Sequence, residues 1–211
     1  MLEAIILTLA VSLLCPSPNG QFSQSIVTDN YVMCMVDVPN QSSYALWSVP
    51  MGGGPAVRLS QEMETNRDVI AFQVSADRVA YTADPNVWTQ YELFSVPISG
   101  GSPVKLSGSM PSDNDVDDFA FAGGRVVYRK GRNATGEWKL FSAPVTGGGS
   151  VQLSQPNMSA VQRGFIVSGM VVRFAQDPTG SGVPTWYSVT VMGGAEIFTD
   201  GFESGGVTRW N

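Results

Sequence analysis

The stretch "ELFSVPISGGSPVKLSG" (Glu92–Gly108) contains two short strand-like segments joined through a Gly-Gly turn. Versions of it begin at Leu46, Leu93, Leu140 and Trp186, at spacings of 47, 47 and 46 residues. Similarity between the copies extends over nearly all of the chain from about residue 22 to residue 199. A fixed period of this length indicates repeated supersecondary units, each of which needs its neighbours to bury its apolar faces.

Each repeat is predicted to form four short strands. In the second repeat they are Val69–Val74, Arg78–Thr82, Glu92–Val96 and Pro103–Leu106. The third strand carries apolar residues on both faces, as expected of a strand covered on both sides, and the glycines after it suit a tight hairpin turn. The sequence therefore predicts an all-β fold, a β-propeller-type array of about four four-stranded antiparallel blades. The alternative is a β-sandwich with accidental internal similarity.

The segment "RVAYTADPNVWTQYELFSVPISGGSPVKLS" (78–107) resembles the repeat of the TolB-like, WD-like β-propeller family. Tyr81, Asp84, residues 93–96 and residues 100–107 carry the resemblance, whereas the family's "SPDG" turn is reduced to "SAD" at 75–77. The resemblance implies a periplasmic or secreted binding propeller, or the propeller half of a prolyl-oligopeptidase-like enzyme. The ending "DGFESG…W" (200–210) is similar to that of many bacterial secreted proteins.

Charge and composition argue against several classes of function. Twelve basic and eighteen acidic residues give a net charge of −6, which disfavours binding to nucleic acid and to anionic membranes. The chain has no histidine and no Gly-x-Ser-x-Gly motif, so the usual nucleophile and base arrangements are missing. We therefore predict a binding or scaffolding module that is not an enzyme. The alternatives are a small propeller hydrolase that uses central carboxylates, and a fragment of a larger propeller protein.

The N-terminal residues 1–21 are interpreted as a hydrophobic leader that directs export. Their apolar run, 4–14, is too short to span a bilayer and has the length of a signal-peptide core. A strand that belongs to the fold, and a mis-set or truncated start, are the other interpretations. Removal of the leader would leave Cys34 as the one cysteine, which is then expected to be a small buried hydrophobic residue. The predicted domains are thus the leader 1–21, the repeat domain 22–199 and a tail, 200–211, that packs on the last blade.

Strand parity places the connections between the second and third strands, and between successive blades, at one end of every blade. These connections are long and differ from copy to copy, whereas the opposite turns are short and alike. Variable loops on a rigid scaffold are the usual place for binding. The residues of these loops that are candidates for ligand contact are Asp84, Trp88, Asp113, Asp115, Arg132 and Arg163.

A calcium site is a further hypothesis for these loops. Asp113, Asp115 and Asp117 alternate as calcium-loop ligands do, although the turn glycine and the distal glutamate of such loops are missing. A solvated acidic loop is the other interpretation, and no other cofactor is predicted. The expected partner is a protein or another component of the bacterial envelope, met in the periplasm or outside the cell. A homodimer is expected if four blades do not close into a ring.

Overall fold

The computed structural model describes residues 15–16, 22–111, 113–132, 136–154, 160–177, 182–192 and 198–199. Within these residues all regular structure is β-strand, and no helix long and apolar enough to cross a membrane occurs in them. Most of the predicted leader, residues 1–14 and 17–21, and the predicted tail, residues 200–211, lie outside the described residues.

The strands form four antiparallel sheets of four strands each, and every sheet follows the order of the sequence. The first sheet consists of β1 (Phe22–Val27), β2 (Tyr31–Val38), β3 (Ser43–Pro50) and β4 (Val57–Arg58). The second consists of β5 (Val69–Ser75), β6 (Arg78–Ala83), β7 (Glu92–Pro97) and β8 (Val104–Lys105). The third consists of β9 (Asn114–Ala122), β10 (Arg125–Arg132), β11 (Glu137–Pro144) and β12 (Val151–Gln152). The fourth consists of β13 (Ile166–Ser168), β14 (Val171–Gln176), β15 (Thr185–Thr190) and β16 (Phe198–Thr199).

The predicted fold class is confirmed, since the described chain is an all-β series of four-stranded antiparallel blades. In the second sheet, the predicted strand boundaries differ from the observed ones by at most one residue at either end. The repeat period therefore carried enough information to place the strands.

The chain divides into two compact units, and the single repeat domain over residues 22–199 stays a prediction. Residues 1–112 and 145–147 form the first unit, which contains the first two sheets. Residues 113–144 and 148–211 form the second unit, which contains the last two sheets. In each unit, buried side chains of two successive sheets share one hydrophobic core.

The recurring Leu-Ser pair that ends each of the first three copies has a structural explanation. The Ser107 hydroxyl accepts a hydrogen bond of 3.3 Å from the backbone N–H of Leu93, and the N–H of Leu106 donates to the carbonyl of Leu93 at 2.8 Å. Equivalent bonds link Ser60 to Leu46 and Ser154 to Leu140. The motif thus holds a two-residue fourth strand against the third strand.

The recurring aromatic residues form cross-strand pairs inside three of the sheets. Their rings stack at centroid distances of 5.4–5.7 Å, in the pairs Tyr81–Phe94, Tyr128–Phe141 and Phe174–Tyr187. Offset stacking of this kind adds to the free energy of burial. In the first sheet, Cys34 occupies the position of the first ring and lies opposite Trp47.

The expectation of a lone Cys34 applied to a chain from which the leader, with Cys15, has been removed. Cys34 forms a disulfide with Cys15, with the two Cα atoms 6.0 Å apart. Both residues are buried, in a cluster with Val32, Val36 and Trp47. The physical reason is that a cysteine fills less space than the aromatic ring of the other copies, and Cys15 packs into the same cluster. Cys15 is therefore joined to the first sheet, although it falls in the segment interpreted as a leader.

Candidate functional site

An open pocket of about 500 Å³ lies in the first unit, at the end of the sheets that carries the variable connections. We call it the loop pocket. Three connections of the chain form it: the β2–β3 turn, the β4–β5 connection and the β6–β7 connection. Its lining residues are Ser42, Thr65, Asn66, Arg67, Asp68 and Trp88.

Two aspartates hold the three connections of the loop pocket together. The Asp84 carboxylate accepts the backbone N–H of Asp68 at 2.6 Å and that of Thr89 at 2.9 Å. The Asp68 carboxylate in turn accepts the N–H of Tyr44 at 2.7 Å. A carboxylate that accepts backbone N–H groups makes charge-assisted hydrogen bonds, which are stronger than neutral ones. Asp84 and Asp68 therefore fix the pocket walls relative to one another.

Asp84 itself was a candidate for ligand contact, and the structure places it beneath the pocket surface. Asp84 is only 2% exposed, and each of its carboxylate oxygens accepts a backbone N–H. Asp84 is therefore a positioning residue in this structure. Trp88, the other candidate from the same connection, lines the pocket and is 70% exposed.

Asp68 differs from Asp84 because it reaches the pocket. Burial raises the pKa of the Asp68 carboxyl, the N–H of Tyr44 opposes that rise, and the nearby carboxylates of Asp84 and Asp37 add to it. The pocket wall beneath Asp68 is thus a region of clustered negative charge, which penalises further anionic groups placed close to it.

Backbone conformations that side chains seldom adopt are concentrated around the loop pocket. Of the six non-glycine residues with positive φ in the described part of the chain, four belong to its three connections: Asn40 (61°), Ser42 (48°), Asn66 (63°) and Thr89 (60°). Such residues cost free energy and cluster at binding sites and other functional sites. The hydrogen bond from Asn66 N–H to the Gln41 carbonyl, 3.0 Å, helps to hold two of these turns together.

Arg67 provides an unpaired cation in the pocket wall. Its Nε and Nη1 atoms are buried and have no hydrogen-bond partner among the residues that the structure describes, while the residue as a whole is partly exposed. Unsatisfied buried donors cost free energy, and an acceptor that reaches them recovers it. The neighbouring Trp88 offers an exposed aromatic face.

A second group of charged residues lies in the second unit, which we call the arginine–aspartate cluster (Asp117, Arg129, Trp138 and Arg163). The Asp117 carboxylate is hydrogen bonded to Arg129 and to Arg163 at 2.8 Å. Arg129 also donates from Nε to the Val161 carbonyl at 2.8 Å, and its guanidinium lies 4.3 Å from the centre of the Trp138 ring. Burial lowers the pKa of Arg129, and the charge of Asp117 opposes this.

A β-bulge in β9 explains how Asp117 reaches two arginines. Asp118 pairs with Arg129 and Val116 with Lys130, so Asp117 is the extra residue on its strand. A bulge reorients the side chain of the inserted residue and bends the strand. Strict strand alternation does not hold at this residue, so spacing in the sequence cannot place its side chain.

The three aspartates of the proposed calcium site are not brought together as a ligand set. Asp113 lies 3.6 Å from Arg132 in an exposed ion pair, Asp115 is buried in β9 opposite Gly131, and Asp117 belongs to the arginine–aspartate cluster. Among the residues that the structure describes, no three His, Cys, Asp or Glu side chains form a group that could hold a metal ion. Calcium binding itself stays a prediction.

The structure thus separates the six predicted contact residues into two groups, one in each unit. Asp84 and Trp88 belong to the loop pocket, whereas Asp113, Asp115, Arg132 and Arg163 lie in the second unit. Sequence reasoning missed Arg67, Asn66 and Ser42. The signal that could have found Arg67 is its position as the one basic residue of a mainly acidic and polar connection, "QEMETNRD" (61–68).

No family model matches the sequence, and no curated protein sequence matches it. Solved structures do match the fold. One of them comes from a structural and mechanistic study of two prolyl endopeptidases. Its TM-score is 0.59, and its sequence is 12% identical to this chain. That match covers 83% of this chain and 26% of the endopeptidase. A mutant puromycin hydrolase complexed with PGG has a TM-score of 0.52 and 13% identity, over 81% of this chain and 28% of the hydrolase.

A third similar structure is named "putative TolB from Agrobacterium tumefaciens". Its TM-score is 0.44 and its identity 13%, over 81% of this chain and 60% of the other. The two structures with higher TM-scores share the propeller-type fold with this chain, which spans about a quarter of their length.

These comparisons contradict the prediction that the chain is not an enzyme. Both structures with TM-scores above 0.5 come from enzymes, a prolyl endopeptidase and a puromycin hydrolase. The prediction depended on residues that this sequence lacks, namely histidine and a Gly-x-Ser-x-Gly motif. Such absences do not decide activity for a chain that corresponds to 26% and 28% of those two enzymes.

Proposed function

We propose that this chain is an exported recognition module of the β-propeller type, which binds a peptide or protein through the connections that form the loop pocket. The observation that carries the proposal is the convergence of three separate connections on one pocket with a 70% exposed tryptophan. Exposed aromatic side chains beside convergent polar groups are typical of recognition sites.

The fold comparisons favour a peptide or protein as the ligand. One similar structure is a prolyl endopeptidase, and another is a puromycin hydrolase complexed with PGG. The polar lining of the pocket is compatible with a peptide, because Ser42, Thr65 and Asn66 offer donors and acceptors for backbone groups. Asp84 and Asp68 hold these groups in place before the ligand arrives, and this reduces the conformational entropy lost on binding.

The disulfide supports export. Disulfides persist in oxidising compartments such as the periplasm and the outside of the cell, and the resemblance to TolB-like repeats implies the same location. Because Cys15 forms the disulfide, we propose that the exported chain retains residue 15. Intact-mass measurement of the exported protein, with and without reduction, tests this. A mature chain that begins after residue 15 would contradict it.

The test of recognition is capture of a partner by purified protein from an envelope extract, with cross-linking from the loop pocket to identify the contact. Trp88→Ala removes the exposed ring from the pocket, and we expect it to reduce capture at least tenfold. Met51→Ser is the matched control, because Met51 is also exposed (46%) but lies in a turn at the other end of the first sheet. Equal capture by the wild type and both variants would refute recognition at this pocket.

A further inference from the structure

We infer that the loop pocket binds a carboxylate of its peptide ligand, with Arg67 as the group that pairs with the carboxylate and Trp88 as the surface for the adjoining apolar side chain. This inference rests on the proposed function, since it names the ligand chemistry of the same pocket. Its two parts come from different observations, the unpaired guanidinium nitrogens and the exposed ring.

Arg67 differs from the other arginines of the candidate sites. Arg129 and Arg163 pair with Asp117, and Arg132 lies beside Asp113. Arg67 lines a pocket instead, with buried Nε and Nη1 atoms that have no hydrogen-bond partner in the described part of the chain. Each two-donor edge of the planar guanidinium, Nε with Nη2 or Nη1 with Nη2, therefore contains one of these unpaired nitrogens, and such an edge matches the two oxygens of a carboxylate. Because the side chain is partly exposed and no hydrogen bond holds it, a small rotation can present this edge to a ligand.

The charges around the pocket select among anions. Asp68 lines the pocket beside Arg67, and the carboxylates of Asp84 and Asp37 lie close enough to Asp68 to act on it. These groups repel any anion, but they repel a dianionic phosphate more strongly than a carboxylate, which brings a single negative charge for Arg67 to offset. A peptide also offers backbone N–H groups, and Asp68 has one carboxylate oxygen, Oδ2, outside its bond to Tyr44 with which to accept them.

The residues on either side of Arg67 have defined backbone positions. Asn66, directly before it, has a φ of 63°, and Asp68, directly after it, is fixed by hydrogen bonds to Tyr44 and Asp84. The chain therefore changes direction at Arg67 between two anchored neighbours. Asparagine adopts the left-handed conformation more readily than most residues, so Asn66 suits this change of direction.

Two sources could supply the carboxylate: the free C-terminus of a peptide, or an Asp or Glu side chain within it. The probe is therefore an array of random ten-residue peptides in three matched forms. The first form has a free C-terminus and no acidic residue, the second is amidated and has no acidic residue, and the third is amidated and contains one glutamate. Binding of the purified full chain is measured for the wild type, Arg67→Gln, Arg67→Lys and the control Arg132→Gln, which removes an exposed charge in the second unit.

We expect carboxylate-bearing peptides to bind the wild type and the Arg132→Gln protein alike. Arg67→Gln should weaken this binding about tenfold to a hundredfold, since a charge-assisted pair is lost, and Arg67→Lys should restore part of it. A preference for the first form identifies a C-terminus, and a preference for the third identifies a side chain; either result supports the inference. In NMR spectra of the ¹⁵N-labelled protein, the Arg67 Nε–H signal should shift on addition of a carboxylate-bearing peptide. It should not shift on addition of the corresponding neutral amide.

Two results would overturn the inference. The first is equal binding of the neutral amides and the carboxylate-bearing forms, with loss of both in Trp88→Ala; recognition at the pocket would then stand without a carboxylate. The second is that none of the three peptide forms binds the wild type and Arg67→Gln with different affinities. The capture experiment with Trp88→Ala and Met51→Ser judges the proposed function separately, because it does not depend on which group the ligand presents.

Discussion

The replacement Asp84→Asn tests whether a buried carboxylate organises the loop pocket. In the wild type, each Asp84 oxygen accepts one backbone N–H, from Asp68 at 2.6 Å and from Thr89 at 2.9 Å. Asparagine has nearly the same shape but only one acceptor oxygen, so its NH₂ group must face one of the two N–H donors. The variant therefore loses one charge-assisted hydrogen bond, and its new side-chain NH₂, at a position that is 2% exposed in the wild type, faces a backbone N–H instead of accepting from it.

The expected fall in the free energy of unfolding follows from the loss of this hydrogen bond and from the backbone N–H that is left without an acceptor. A buried group left without its hydrogen bond costs about 1–3 kcal/mol, so we expect the free energy of unfolding of the first unit to fall by about 2 kcal/mol. Urea denaturation followed by tryptophan fluorescence measures it. Hydrogen exchange adds a local measurement, because the amides of Asp68 and Thr89 should exchange faster in the variant.

Asp29→Asn is the matched control, since it makes the same chemical change at an exposed turn position. If Asp84→Asn and Asp29→Asn changed stability equally, and the amides of Asp68 and Thr89 kept their protection, the assignment of Asp84 as a positioning residue would be refuted. The Asp84→Asn protein should also bind the ligand of the loop pocket more weakly, since the walls are no longer fixed.

Three further predictions concern the rest of the molecule, all measured as changes in the free energy of unfolding. Asp117→Asn should cost about 3 kcal/mol because a buried arginine loses its counter-charge, whereas Arg163→Ala, at an exposed member of the same cluster, should cost less than about 1 kcal/mol. Gly131→Ala should cost about 1–3 kcal/mol, because the new Cβ would lie 2.6 Å from a backbone atom of β11, and Gly124→Ala, with open space around it, should cost under about 1 kcal/mol. Reduction of the disulfide, which links residues separated by 19 positions, should cost about 3 kcal/mol; a cysteine-free variant should not respond to the reductant.

The architecture could be predicted because its determinants repeat along the sequence. Leu93, Ser107 and Gly100 recur at the same place in other copies, and each meets a local requirement of a strand, a strand end or a turn. Four copies of a local signal specify strand positions far better than one, and strand parity then assigns the variable connections to one end of each sheet. The prediction that binding residues lie at that end needed no tertiary information.

The composition of the candidate sites could not be predicted in the same way, because it depends on residues far apart in the chain. Arg163 and Asp117 are separated by 46 positions, and nothing in "SDNDVDD" (112–118) indicates that a bulge turns Asp117 toward two arginines rather than toward a cation. Cys15 was assigned to a leader on local hydrophobicity, although it pairs with Cys34 in the first sheet.

The sequence by itself determined the repeat, the strands, the turn glycines and the end of each sheet at which the variable connections lie, since these follow from spacing and local backbone preference. Only the tertiary structure decided that Asp84 lies buried as a support, that Cys34 has a partner, and that Arg67 lies in a pocket wall with unpaired donors. The physical reason is that hydrogen bonding, burial and charge pairing are properties of neighbours in space, and the loops that form this pocket meet only after the sheets have packed.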